Sequence, residues 1–222
     1  MQNVNHFIVT LSLLIFSSFS ISAFTEPSGT KIHITFSTGF DDNTAVDPVG
    51  GNNHTTLGEQ RKEVVRRAAL IWAQEFDLIR DVHITAEFSS LFCVSNSATL
   101  GSAGPAGSLA IDSLWRPLAL TKQVYDLDAM YGVGAVQDND INIYLNTNID
   151  LACLNGVTGW YYGLDQNATA GTIDLLSTAV HEFGHGLGFT TTSNQSGALS
   201  SGMADSYTQF LHNYATGLDW LS

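Results

Sequence analysis

His181, Glu182 and His185 stand together in "STAVHEFGHGLGFTTTS", Ser177 to Ser193, two histidines four residues apart with a glutamate directly after the first. Histidines at that spacing fall on one face of a helix, close enough to share one ion, and neutral imidazole is a good donor to zinc. Glu182 lies one residue further round, at the edge of that face. The chemistry these three residues support is metal-assisted hydrolysis. Zinc lowers the pKa of its bound water to about 7 and polarises a scissile carbonyl, while a carboxylate takes the water proton and returns it to the leaving amine. His181 and His185 are the candidate ligands and Glu182 the candidate general base.

The five-residue pattern arises by chance in unrelated helices, so its surroundings must support it. The spacing predicts a helix from about Thr172 to Leu187, with Ile173, Leu176, Val180, Phe183 and Leu187 in one apolar stripe. Asp174, Thr178, His181 and His185 cluster roughly opposite, which aims both imidazoles away from the core. Asp174 either orients a ligating histidine or starts the helix favourably for its dipole, and the second reading is preferred.

The elements around this helix read as a mixed α/β chain. "KIHITF" alternates Ile32, Ile34 and Phe36 against polar residues, the period of a half-buried strand. A polar Gly-, Asn- and Asp-rich loop leads to a helix opened by Thr56 and Glu59 in capping-box spacing, with Leu57, Val64, Ala68, Trp72 and Phe76 down one face. "VHITAEF" alternates again, so strand, helix and strand predict a parallel pair. Ser95 to Ala110, rich in small residues, reads as loop. "DINIYLN" is a third alternating strand, and "GWYYG", Trp160 to Gly163, is either a packed aromatic loop or part of a cleft.

With "HEFGHGLGF" and this order of elements, the chain resembles the zincin metallopeptidases, and the arrangement resembles the upper half of a metzincin. The resemblance spans roughly Lys31 to Phe189, and only the active helix is specific. It implies an α/β (α+β) zincin-like fold: a twisted mixed sheet with an antiparallel edge strand, a backing helix and the long HExxH helix. In that arrangement "DINIYLN" takes the edge position and pairs with extended substrate by β-augmentation, making Asn142 and Tyr144 candidate substrate-binding residues.

The pattern departs from the family where a third ligand is due. A metzincin has a final His or Asp where this chain has Thr191, and no glutamate follows Glu182 to complete a gluzincin site. Asp205, His212 and Asp219 are the usual zinc-ligand types that remain downstream. Asp205 is the first choice, because "GMADSYTQFLHNYA" reads as a second helix and an Asp ligand makes the site similar to the aspzincins. His212 is the alternative, on the same helical face, and a helix-start role for Asp205 competes with both. A zincin would continue past "YATGLDWLS" with a lower subdomain closing the cleft, so the C-terminal subdomain is expected to be short or truncated at Ser222.

The remaining composition narrows the setting. A formal charge of -13 leaves no basic patch for nucleic acid or anionic membranes. "MQNVNHFIVTLSLLIFSSFSISAF" reads as a signal peptide cleaved after Ala23, leaving residues 24–222 as one catalytic domain, secreted or periplasmic, without a membrane span. In that compartment the two cysteines, Cys93 and Cys153, are expected to pair. Asp41, Asp42, Asp138 and Asp140 form no complete calcium loop, so Ca2+ is unsupported beside one catalytic Zn2+. Asn53, Asn167 and Asn194 match the glycosylation acceptor pattern. The expectation is a secreted zinc metalloendopeptidase, or the catalytic part of one, acting on protein or peptide. Its rivals are an inactive zincin-derived binding or adhesion module and a metal-dependent hydrolase of another bond.

Overall fold

The computed structural model describes residues 31–194, 198–199, 202–213 and 218–219; the expected signal, 1–23, lies outside the described residues. The chain runs β1 (Ile32–Phe36), α1 (Leu57–Glu75), β2 (Val82–Ser89), β3 (Cys93–Val94), β4 (Ser97–Ala98), β5 (Gly101–Pro105), β6 (Ser108–Ile111) and β7 (Leu114–Pro117). It continues with α2 (Leu118–Val124), α3 (Leu127–Tyr131), β8 (Ile141–Asn146), β9 (Gly159–Tyr161), β10 (Thr172–Asp174) and α4 (Leu175–Leu187). The short strands β11 (His212–Asn213) and β12 (Leu218–Asp219) follow.

The main sheet has the order β1-β2-β8-β5. β1, β2 and β8 are parallel, and β5 closes one edge antiparallel to β8. The parallel pair expected from the strand, helix, strand order is therefore present. Two expectations fail in a linked way. The small-residue segment read as loop contains β4, β5 and most of β6, and β8, expected at the edge, is an inner strand hydrogen-bonded on both sides. "GSAGP" has no apolar alternation to advertise a strand, yet its small side chains let a helix approach closely, and Pro105 ends it at the sheet margin.

One face of the sheet carries the core. Val82, Ile84, Ala86 and Phe88 of β2 and Ile141, Ile143 and Leu145 of β8 are buried, and they cluster with Val64, Val65 and Ala68 of α1 and with Leu175, Leu176, Ala179 and Phe183 of α4. Both long helices thus cover the same face. The Trp72 indole N–H donates to the Val180 carbonyl at 2.9 Å, tying α1 to α4. Thr56 stands at the N-cap of α1 but makes no side-chain cap bond, and Glu59 pairs with Lys62 instead, so the capping box does not form. α4 begins three residues later than the periodicity suggests, because Thr172–Asp174 pairs in parallel with β9.

Beyond the inner strand, Arg61 is the anchor. Its guanidinium lies 2.9 Å from Asp150 and 3.5 Å from Asp42 and sits over the Phe88 ring, so a buried cation is both paired and stacked. The Tyr162 hydroxyl donates to the same Asp150 carboxylate, and Trp160 donates to the Asn146 carbonyl at 2.8 Å. Trp160, Tyr161 and Tyr162 are all buried, so "GWYYG" is a packed aromatic segment. Asp41 lies 3.6 Å from Lys62, and the buried Asp140 lies 2.8 Å from Lys122.

Cys93 and Cys153 form the expected disulfide, closing a separation of 60 residues. A loop of that size in the unfolded chain makes the cross-link worth about 4 kcal/mol. Cys93→Ala with Cys153→Ala should lower the unfolding free energy by that order in urea titrations. An unchanged midpoint would contradict the contribution.

Candidate metal centre

The histidine helix is fixed at both ends. Asp174 caps it, its carboxylate accepting from the Ser177 N–H at 2.6 Å, which settles the role of Asp174 as a helix start. At the other end Gly188 adopts φ 112°, a conformation open to glycine, and the chain turns back so that the Phe189 carbonyl lies 2.8 Å from Nδ1 of His185. A carbonyl only accepts, so Nδ1 carries the proton and Nε2 keeps its lone pair. The Trp72 ring packs against Phe189 and holds this turn.

His181 and His185 meet edge to face, with centroids 4.6 Å apart and Nε2 atoms 3.0 Å apart. Two nitrogens bound to one tetrahedral zinc at the usual bond length lie about 3.3 Å apart, so the pair needs only a small opening to hold the ion.

Glu182 is 6% exposed and lies between α4 and β5. Burial pushes its carboxyl above the ordinary range, while His181, His185 and the Ala103 N–H pull the other way. A Cβ on Gly101 would stand 2.8 Å from Cγ of Glu182, so only glycine lets the edge strand come this close. Gly101 and Ala103 are the site residues that sequence reasoning missed. The available signal was a five-residue run of small residues beside a helix that must be closely approached.

Asp205 does not join the histidines. Among the described residues, the one group of three or more His, Cys, Asp or Glu ligand atoms close enough to hold an ion is His33, Asp81 and His83. The Asp205 carboxylate instead binds its own loop. One oxygen accepts from the Thr192 N–H at 2.7 Å and from the hydroxyls of Thr191, Thr192 and Thr208; the other accepts from the N–H groups of Tyr207 and Thr208. Among the described residues the expected helix is absent: a 3-10 turn at Thr208–Phe210 precedes β11. The loop is held in place by Trp115 of β7, whose N–H donates to the Ala204 carbonyl and whose carbonyl accepts from the Ser206 N–H. Thr191, where a metzincin would present a ligand, is therefore a hydroxyl fastened to Asp205. His212 falls on β11, and its side chain and that of Asp219 lie outside the described residues.

Asn142 and Tyr144 are also displaced from their expected role. They alternate with the core residues of β8, so they project from the face opposite α4, where the Asn142 side chain accepts from Asn139. Among the described residues the sheet has two edge strands, β1 and β5, and the one next to Glu182 is β5.

The fold and this centre define a mixed α/β domain with a histidine pair and a buried carboxylate set against an antiparallel edge strand. The chain belongs to the SPBPB7E8-like family, whose model matches residues 36–216. No curated protein and no solved structure matches it.

Burial pushes the Asp205 carboxyl up, but the hydrogen bonds from Thr192 and Thr208 outweigh it and hold its pKa below the ordinary value. A depressed folded pKa contributes stability that is present above the unfolded value of about 3.9 and is lost as pH falls through the folded one. Asp205→Asn should cost about 2 kcal/mol near neutrality and flatten the acid-side decline in stability. Denaturant titrations across that pH range check it, and a decline as steep as wild type would contradict it.

Proposed function

We propose that this chain is a zinc-dependent metallopeptidase of zincin-like fold, belonging to an exported protein, with Glu182 as general base. The observation that carries the reading is the convergence of the His181 and His185 Nε2 atoms at 3.0 Å beside a buried carboxylate. The antiparallel edge strand β5, the backing helix α1 and the HExxH helix α4 support the fold. The disulfide supports an oxidising compartment. No helix among the described residues is long and apolar enough to cross a membrane.

The donor set fits zinc at two positions: His185 is held in the tautomer that leaves Nε2 free, and His181 faces it. When bound, the ion supplies a Lewis acid and an acidified water. The chain's own residues then divide the work. Glu182, walled off by β5 and raised in pKa by burial, accepts a proton from water and passes it to the leaving amine. The Ala103 N–H steadies the carboxylate. β5, with a strand on one side only among the described residues, offers its other edge to an extended peptide, whose backbone then runs past Glu182.

A second reading is favoured by one observation, the locking of Asp205 into the threonine network. A site with two protein ligands binds zinc weakly, and the chain would then be a zincin-derived binding module or a hydrolase of another bond. Glu182→Gln separates these readings. It should cut hydrolysis of an unfolded protein substrate by about a thousandfold or more while zinc stays bound, and His181→Ala should release the ion. Retained activity in Glu182→Gln, or none in the zinc-loaded wild type, would contradict the enzyme reading.

A further inference from the structure

The outer face of the main sheet carries a second set of metal donors. His33 of β1 and His83 of β2 are direct partners in the parallel register. Directly paired residues project to the same side, and here that side is opposite Ile32, Val82 and Ile84, which face the core. The two imidazoles stack with centroids 5.0 Å apart. Asp81, immediately before β2, places a carboxylate oxygen 3.2 Å from Nε2 of His33. One ligand atom from each of the three residues lies within 4.8 Å of the other two.

We propose that His33, His83 and Asp81 form a second divalent transition-metal site, independent of His181 and His185. Two imidazoles and one carboxylate are a ligand set that zinc takes in proteins, with remaining positions open to water. Its backbone frame is already built. The two histidines stand on adjacent strands locked by the sheet, and the His83 N–H is fixed by the buried Asp140 at 2.9 Å, so binding orders side chains and not backbone. His33 and Asp81 have side chains 50% and 55% exposed, which makes the site open to exchange from solvent. An ion there would clip β1 to the start of β2.

The site would take zinc or a similar borderline ion in preference to calcium, which favours an all-oxygen shell of six or more ligands. The test is calorimetric titration of the metal-stripped full chain with Zn2+ alone, compared with His33→Ala and Asp81→Asn. The exposure of these two residues makes folded variants the expected outcome, checked by circular dichroism. Each variant should weaken one class of zinc binding by about tenfold or more, leave the class lost in His181→Ala untouched, and abolish a zinc-dependent rise in the unfolding temperature. Calcium at equal concentration should not compete. Wild-type zinc binding in both variants would overturn the proposal. A chain that binds zinc only through His33 would uphold it while removing the metal from the histidine helix.

Discussion

The site depends on the close seating of α4 against the inner and edge strands of one sheet. Phe183, Leu176 and Ala179 bury the apolar stripe against β8 and α1, and this packing decides which way the opposite residues point. Because β5 is made of small residues, the helix reaches the edge strand closely enough for Glu182 to be enclosed. A larger side chain at Gly101 would push the carboxylate out of this position, so the burial of Glu182 and the flatness of β5 are one constraint. Desolvation of a carboxylate normally opposes folding, and here the Ala103 N–H and the adjacent imidazoles offset part of that cost.

Much of the frame was legible in the sequence because its signal is periodic. β1, β2 and β8 alternate, and α1 and α4 carry apolar stripes, so each announced both its type and its buried face. β5 was not legible, since glycine, serine and alanine give no alternation to read; its assignment as loop pushed β8 to the edge and gave Asn142 and Tyr144 a substrate-pairing role on a strand that is hydrogen-bonded on both sides. The buried Arg61 was hidden for another reason. A cation within an apolar helix face reads as solvent-facing, and only the fold brings Asp150 and the Phe88 ring to meet it.

The segment around Asp205 shows local chemistry defeating a periodic pattern. Its apolar spacing suggests a helix, but the Asp205 carboxylate captures the N–H groups of Tyr207 and Thr208 and offers the backbone a tight turn instead. The same carboxylate fastens Thr191 and Thr192, so the stretch after the histidine helix is pinned to the loop that Trp115 holds. In this chain, Asp205 as placed fastens the loop after the histidine helix and is not grouped with His181 and His185. The match to the SPBPB7E8-like family over residues 36–216 covers α1, β2, β8, β5, the histidine helix and the Asp205 loop, and takes in only the last residue of β1.

The central claim is that His181 and His185 hold a zinc ion through their Nε2 atoms next to Glu182. Anomalous diffraction at the zinc edge, from crystals of the zinc-saturated full chain, tests it most directly. The account predicts a peak about 2.1 Å from both Nε2 atoms. A zinc-saturated crystal with no peak between these two imidazoles would contradict it.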